Sequence, residues 1–344
     1  MNEISSRILI DGHNVDFQGA DYKFTGGITA AQLTVTIPGE EVSFRKYWGK
    51  ELVAYLNEED TYPFFRGYIM DTTIANEYAV KVVALDCLGW LTGHQKAKVA
   101  LNDTDNIDGL TIGGAFKKLI RLANLNDKVG TDYIGDTSPI VTGRNNLREE
   151  IVILDWLKKV LVNAIDTTNS NLPRENTLVV RDDGEKGQLS IEVVADVNSG
   201  EPCLTFNNND LIGYTVKSRK IPTTIIVSGK NKVTGKYRNK SAADGLGENF
   251  FNANNDNLES PSDCVDFARK VFYANVDNQY EITINTFQGV YLMPNDIIKL
   301  NIENADVSGQ YRVVGKTVQF SSRSFSVTLN INRTPPILSD FLIS

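Results

Sequence analysis

Apolar and polar residues alternate along residues 4–93. In residues 32–37 every second side chain is apolar, which is the period of a β-strand buried on one face. Turn sequences such as Asp11-Gly12 and Pro38-Gly39 separate this run from others of similar length. The strand-like runs are ILI, NVDF, AQLTVTI, ELVAYL, FFRGYIM and YAVKVVALD. Their spacing predicts an antiparallel β sandwich or barrel over residues 1–93.

The pattern changes in residues 94–200, where apolar residues recur at helical spacing. Thr111 begins one predicted helix, with the sequence TIGGAFKKLIRLAN, and a second is predicted over residues 147–165. The apolar face of the second helix would contain Leu154, Leu157, Leu161 and Ile165. Two strand-like runs, NTLVVRDD and GQLSIEVVAD, follow. This region is therefore predicted to be a small α/β insert.

Residues 201–344 return to strand-like patterns. The run PTTIIVSGK has the β-branched density of a buried strand, whereas the Gly- and Asn-rich stretch TGKYRNKSAADGLGENFFNANNDN predicts an irregular loop. A helix is predicted over residues 261–274, because Ser260 can cap it and Pro261 suits its first turn. Its buried stripe would consist of Cys264, Phe267, Ala268, Val271 and Phe272. Strands resume in QYEITINTF, VYLMPNDIIKLNI, GQYRVVGKTVQF and SFSVTLNINR.

These patterns predict an α+β fold that is mainly β. Two antiparallel β modules, residues 1–93 and 201–344, flank the α/β insert of residues 94–200. Because no simple sequence repeat relates the modules, a duplication is only a hypothesis at this level.

The formal net charge of −8 argues against a protein that wraps nucleic acid, since such surfaces are usually basic. The acidity favours ordinary solubility, and would also suit a passage along which DNA slides. The sequence has no run of about 20 apolar residues, and its start, MNEISSRILIDG, lacks a secretion-signal pattern. We therefore expect a soluble protein made in the cytoplasm, without membrane insertion.

Residues for catalysis are scarce. There are two histidines and three cysteines, and Cys87, Cys203 and Cys264 lie among apolar neighbours without a CxxC pair, which predicts buried free thiols. No GxSxG, GxxxxGK[ST], GxGxxG or HExxH sequence is present. The sequence therefore predicts no enzyme, and no catalytic, cofactor-binding or metal residues.

Clusters of carboxylates have two interpretations. Asp103, Asp105 and Asp108 are spaced like the acids of a calcium loop, but Gly109 is misplaced and no glutamate closes the loop, which favours a solvated loop. Glu149 and Glu150 precede a predicted helix, where negative charge favours the N-terminus. These two and Asp155 are the candidates for the acid of a cell-wall hydrolase.

Other single residues have a structural interpretation that we favour over a functional one. Asp86 is expected to accept backbone hydrogen bonds at a strand-to-helix corner. Trp90 and Trp156 are expected in the core rather than as ligand platforms. A modest basic cluster predicts a solvated helix face: Arg144, Arg148, Lys158 and Lys159.

Three segments in order resemble the phage baseplate hub family, which includes late-control-protein-D-like proteins. Residues 64–69 (FFRGYI) followed by 84–91 (ALDCLGWL) resemble the first β module of these hubs. Residues 210–214 leading into 225–229 are similar to the entry of the second module. Residues 308–313 and 325–331 resemble the closing hairpin. Related proteins often have a histidine after the second strand of this hairpin, and that region reads Val318-Gln319-Phe320 here. Nothing in residues 94–200 matches the family.

The resemblance implies a homotrimeric structural hub of a contractile tail. Each subunit would contribute two tube-like β modules to a pseudo-sixfold ring, which adapts the hexameric tail tube to the trimeric central spike. The implied partners are other copies of the chain, the tail tube or tube-initiator protein, the spike and baseplate wedge proteins, with DNA only passing through the lumen. The implied location is the virion tail baseplate, assembled in the host cytoplasm.

Two alternatives remain open. One is the N-terminal type of tail-associated protein of a non-contractile tail, although those chains are often longer than this one. The other is a tail module with cell-wall hydrolase or carbohydrate-binding activity. If strand edges form the assembly surfaces, residues 64–69 and 311–313 are expected to be core rather than interface.

Overall fold

A computed structural model describes residues 5–25, 28–39, 46–57, 60–76, 78–92, 97–101, 107–135, 150–163, 176–182, 185–193, 197, 200–277, 280–321 and 324–332. The fold is mainly β with large antiparallel sheets, as the sequence predicts.

The first β module contains seven strands and ends in a short helix. The strands are β1 (Arg7–Ile10), β2 (His13–Val15), β3 (Gly19–Phe24), β4 (Gln32–Pro38), β5 (Glu51–Tyr55), β6 (Phe65–Asn76) and β7 (Ala79–Leu85), and the helix is α1 (Gly89–Thr92). The strands lie in the order β3-β4-β7-β6-β5-β1-β2. Apolar residues on alternate positions face the core, as in β4, where Leu33, Val35 and Ile37 are buried.

The insert contains two helices and two β-ladders. Its elements are β8 (Lys98–Ala100), α2 (Ile112–Leu122), β9 (Glu150–Val152), α3 (Ile153–Asn163), β10 (Asn176–Asp182) and β11 (Gly187–Val193). Thr111 caps α2, because its hydroxyl accepts a hydrogen bond from the Gly114 amide at 3.0 Å. The predicted helix over 147–165 is wrong at residues 150–152, which form β9 because β8 offers them an antiparallel partner. Residues 147–149, 164 and 165 lie outside the described part of the chain.

The remaining elements complete the second module and add a separate α/β unit. They are β12 (Leu204–Asn207), β13 (Leu211–Ser218), β14 (Thr224–Ser228), β15 (Thr234–Arg238), α4 (Lys240–Leu246), β16 (Phe250–Asn254), α5 (Pro261–Asp277), β17 (Tyr280–Thr286), β18 (Ile297–Ile302), β19 (Val307–Phe320) and β20 (Phe325–Asn332). The expected irregular loop after β14 is wrong, because β15, α4 and β16 lie there and β15 and β16 pair with β14. The run 225–229 therefore contributes β14 to a three-stranded sheet of its own rather than to the large sheet.

Helix α5 begins where the sequence predicts. The Ser260 hydroxyl accepts a hydrogen bond from the Asp263 amide at 3.2 Å, and the predicted stripe from Cys264 to Phe272 is buried. Within the described residues no helix is long and apolar enough to cross a membrane.

Buried apolar residues form two clusters. One lies under both β modules and includes Val35 from the first and Leu329 from the second. The other combines the insert with the β14-β15-β16 sheet and α5. The boundaries at residues 93/94 and 200/201 stay a prediction.

Candidate assembly surfaces

The two β modules join edge to edge in one sheet. Strand β19 of the second module pairs antiparallel with β3 of the first, from Lys316 opposite Phe24 to Phe320 opposite Ala20. Eight strands then follow one another in the order β13-β17-β20-β19-β3-β4-β7-β6, and every neighbouring pair is antiparallel. The junction between the modules is therefore a β-ladder rather than a loose contact between domains. We call it the seam.

The two halves of this eight-stranded sheet have the same topology. In each half the strands lie in the chain order first, second, fourth, third: β3-β4-β7-β6 and β13-β17-β20-β19. The long strands β6 and β19 each have a register shift, between Ile69 and Asp71 and between Val313 and Gly315. Each pairs with a preceding strand, β5 or β18, before the shift and with a following strand, β7 or β20, after it. The duplication that the sequence leaves as a hypothesis is visible in the strand order.

The ladders give a residue-by-residue equivalence between the halves. Matching Asp71 to Gly315 after the shifts, and following the register across each half, pairs Gly19 with Gly213 and Lys23 with Lys217. Two of these equivalent positions therefore hold identical residues. The same matching pairs Tyr22 with Val216 and Ile74 with Val318.

One face of the eight-stranded sheet packs on the core, and the other is polar. On the second face small hydroxyl and amide side chains bond across strands, as from the Thr328 hydroxyl to Asn285 Oδ1 at 2.8 Å and from Thr283 to Asn330 Oδ1 at 3.1 Å. Beyond the register shifts of β6 and β19, six charged residues lie on this face, three of each sign: Asp21, Lys23, Asp71, Lys81, Lys217 and Glu281. This part of the face is thus polar without an excess of either charge, although the whole chain is acidic.

The sheet has an open edge at each end. Among the residues that the structure describes, β13 pairs only with β17, and β6 beyond its register shift pairs only with β7. Large apolar residues are exposed at both ends, namely Ile212 and Tyr214 on β13 and Ile74 on β6. Ile74 is 49% exposed. Its equivalent in the other half, Val318, lies at the seam and is 0% exposed. Unpaired strand edges with exposed apolar side chains are surfaces that bind another strand.

A buried lysine holds the seam together. The ammonium of Lys316 donates hydrogen bonds to the carbonyls of Val290 and Leu292, at 2.6 and 2.7 Å, and lies 5.3 Å from the rings of Tyr22 and Phe64. Burial lowers the pKa of Lys316 to about 7, and the nearby charge of Asp296 opposes that shift.

A side-chain hydrogen bond also joins the connection between β17 and β18 to the first module. The Tyr291 hydroxyl donates to Asp60 Oδ2 at 2.8 Å, and burial together with this bond raises the pKa of Tyr291 to about 12. Both modules are thereby held in one arrangement at the seam.

Asp86 occupies the corner that the sequence predicts. Its carboxylate accepts hydrogen bonds from the amides of Ala31 and Leu88, both at 3.0 Å, where β7 turns into α1. Burial raises its pKa to about 7, and these two hydrogen bonds oppose the rise.

The candidates for catalysis are not brought together. Glu150 forms an exposed ion pair with Lys98 at 3.0 Å, and Asp155 lies in the first turn of α3. Asp108 lies in the described chain near Gly109, and Lys158 lies on α3. The other candidates lie outside the described residues: Asp103, Asp105, Arg144, Arg148, Glu149 and the side chain of Lys159. In the part of the chain that the structure describes, no group of three His, Cys, Asp or Glu could hold a metal ion.

The thiol and tryptophan expectations have mixed outcomes. Cys87 and Cys264 are buried, but Cys203 is exposed, because it precedes β12 at the edge of the sheet and only its backbone amide is engaged, with the Ile297 carbonyl. Trp90 and Trp156 are partly buried against the insert core.

The seam is the feature that the sequence did not predict. The sequence patterns predict neither strand β3 nor the role of Lys316. The signal was present in GADYKF, where Ala20, Tyr22 and Phe24 are buried on alternate positions.

No family model matches the chain, and no curated protein matches it in sequence. Solved structures do match. A tail protein from Neisseria meningitidis has a TM-score of 0.69 at 11% identity, covering 98% of this chain and 99% of its own. The 43 kDa tail protein of prophage MuSo2 from Shewanella oneidensis has a TM-score of 0.67 at 7% identity, covering 97% and 98%.

A prophage tail protein from Listeria monocytogenes has a TM-score of 0.58 at 11% identity, with 99% of this chain and 100% of its own covered. At these identities the likeness concerns the fold, and it extends over both β modules and the insert. The chain therefore has the fold of phage tail proteins.

Proposed function

We propose that the protein is a structural hub of a phage or phage-like tail, and that three copies form a pseudo-sixfold ring. The observation that carries the proposal is the repeated strand order, 1-2-4-3, in two halves joined by a ladder. Two equivalent units in each of three subunits give six units around an axis, which suits an adaptor between a hexameric tube and a trimeric spike. The tail-protein names of the structural neighbours support the same function.

The seam inside the chain predicts the contact between copies. Strand β6 is equivalent to β19, and β13 is equivalent to β3. If the unit repeats around a ring, β6 of one copy pairs with β13 of the next as β19 pairs with β3. The strand directions agree, because neighbouring strands alternate throughout the sheet, so this pairing is also antiparallel.

The equivalence also predicts the register of this contact. Val318 lies opposite Tyr22 in the seam, so Ile74 would lie opposite Val216 of the next copy. Likewise Thr317 lies opposite Lys23, which would bring Thr73 opposite Lys217. Asp71 is two residues away from Thr73 on the same face, and would lie diagonal to Lys217 with the opposite charge. Assembly would thus cover the exposed Ile74 and add a complementary pair of charges.

The polar face of the eight-stranded sheet would line the central passage. Its core-facing side is filled by apolar side chains, so the opposite side is the one left for solvent. Balanced charges and neutral hydroxyl and amide groups would let a polyanion such as DNA pass without strong binding or strong repulsion. On this proposal the acidity of the chain is not concentrated in the passage. A tail tube protein, a spike and baseplate wedge proteins are the proposed partners outside it, and the virion tail is the proposed location.

The mass of the purified protein in solution tests the proposal. Light scattering over a concentration series is expected to give three times 38.1 kDa. The variant Ile74→Lys places a charged side chain opposite the apolar Val216 of the next copy, where burial of the charge is costly, and is expected to shift the mass to that of the monomer. Tyr133→Lys, at a 50% exposed position in the insert, is the matched control and should remain trimeric. A dimer or tetramer would contradict the trimeric ring.

A further inference from the structure

Positive charge is concentrated in one segment of the chain, most of which lies outside the proposed ring surfaces. Residues 217–240 contain eight lysines and arginines and no Asp or Glu, although the whole chain has 35 basic and 43 acidic residues. Three of the eight form ion pairs: Arg219 with Glu281, Lys230 with Glu259 and Arg238 with Glu248. The other five have no ion pair within the described residues: Lys217, Lys220, Lys232, Lys236 and Lys240. This segment is therefore a positive region in an acidic protein.

Two of the eight basic residues, Lys236 and Arg238, lie on strand β15 of the β15-β14-β16 sheet, and Lys230 and Lys232 lie in the turn between β14 and β15. One face of this sheet is covered. Helix α5 packs against that face, where the rings of Tyr237 and Phe272 lie 5.2 Å apart. The approach is close at Gly235, since an added Cβ would lie 2.4 Å from the Val265 amide nitrogen. Residues on alternate positions, among them Lys236, therefore point away from the helix.

The uncovered face combines positive charge with an exposed aromatic ring. Lys236 lies opposite Ile226, which lies opposite Asn252, so the three form a row across the sheet. The Lys236 ammonium lies 5.9 Å from the ring of Phe250, which is 57% exposed. Strand β15 is also an open edge in the described part of the chain, where it pairs only with β14.

We propose that this face of the β15-β14-β16 sheet is a docking surface for an acidic segment of a partner protein. Lys236 on this face and Lys232 in the turn before β15 complement acidic side chains, and Phe250 is an aromatic anchor of the kind that dominates protein interfaces. The open edge of β15 offers backbone groups to an extended segment. A single-stranded nucleic acid fits less well, because successive bases need a series of aromatic platforms and Lys236 lies over the one ring exposed here.

The test uses the full-length chain and a fluorescent twelve-residue peptide of alternating Glu and Val, with binding measured by fluorescence anisotropy. We expect saturable binding that weakens at least tenfold in Lys232→Glu/Lys236→Glu and severalfold in Phe250→Ala. The matched control is Lys81→Glu/Lys299→Glu, which makes the same change of charge at exposed positions of other strands and should bind like the natural chain. Circular dichroism verifies that each variant is folded.

Four results would overturn the proposal. The first is no binding by the natural chain. The second is an equal loss in the control variant, which would mean that only net charge matters. The third is tighter binding of oligo-dT than of the peptide at the same residues, which would assign the surface to nucleic acid. Aggregation of the double variant with intact peptide binding would also overturn it, because the lysines would then only protect an open edge. None of these results depends on whether the chain forms a trimer.

Discussion

Lys23 and Lys217 occupy equivalent positions in the two β modules, each four residues after a glycine. Both project from the face of the sheet away from the core, opposite Gln32 and Glu281 on the neighbouring strands. On the other side of β3, Thr317 of β19 lies opposite Lys23. Lys217 has no such neighbour, because β13 is an open edge. Lys23 therefore lies at the seam within the chain, and Lys217 lies at the edge where the proposed seam between copies would form.

Arg66 links the first module to the insert. Its guanidinium contacts Glu51 at 3.0 Å and Asp182 at 2.8 Å, and its side chain is only 10% exposed. Arg66→Met removes the ion pairs to Glu51 and Asp182 from a poorly hydrated site, and should lower the free energy of unfolding by about 3 kcal/mol. Urea denaturation measures this change.

The control for Arg66 is the ion pair between Arg181 and Glu192, on the β10–β11 hairpin that also contains Asp182. Arg181 and Glu192 are more exposed, at 46% and 25%. Arg181→Met should therefore lower the free energy of unfolding by less than about 1 kcal/mol. Equal effects of the two substitutions would mean that burial of Arg66 contributes nothing.

The sequence predicted most strands correctly where alternation was strong, and failed where a partner distant in sequence decides the structure. Residues 150–152 continue the apolar pattern of a helix, yet they form β9 because β8 lies beside them. Residues 234–254 look like a loop by composition, but α5 packs over β15 and selects a strand with Gly235 at the closest approach. No local pattern carries such information.

The sequence predicts that the assembly surfaces are edges of β modules, but it does not predict which edges these are. Alternation and the family resemblance indicated two β modules. Residues 311–313 are buried, whereas within 64–69 only Phe65, Gly67 and Ile69 are buried and the other three are partly exposed. The sequence could not say which edges stay open, because that depends on the pairing of β3 with β19 across nearly the whole chain. The equivalence of Gly19 with Gly213 becomes visible only through the ladders.

Asp86 should make stability depend on pH. Its pKa of about 7 in the folded state lies above the unfolded value of 3.8, so its protonation favours folding. The contribution is fully present below pH 3.8 and is lost as the pH rises through about 7. Asp86→Asn cannot titrate, so its free energy of unfolding should fall less between pH 4 and pH 7 than that of the natural chain. Parallel pH profiles from urea denaturation would contradict this assignment.

Gly235 should tolerate no side chain, whereas Gly245 should. An alanine Cβ at position 235 would lie 2.5 Å from the Cys264 carbonyl carbon, so α5 would have to move away from β15. We expect Gly235→Ala to lower the melting temperature by several degrees. Gly245 lies within α4 with no atom within 4 Å of an added Cβ, and Gly245→Ala should raise stability by about 0.5–1 kcal/mol. Calorimetry of the two variants tests this, and a stable Gly235→Ala variant would contradict the packing of α5.

Disulfide cross-linking between copies tests the central claim most directly. The exposed Cys203 is first replaced by serine, and Ile74→Cys and Val216→Cys are then combined in one chain. Directly opposed residues on paired strands have Cα atoms within about 5.5 Å, which a disulfide can bridge. The control combines Ile74→Cys with Lys217→Cys, whose side chain points to the opposite face of the sheet.

We predict that oxidation links the first variant into dimers and closed trimers on a non-reducing gel, while the control stays monomeric. If the first variant is trimeric by light scattering yet forms no more cross-links than the control, copies do not meet through β6 and β13, and the proposed ring is wrong.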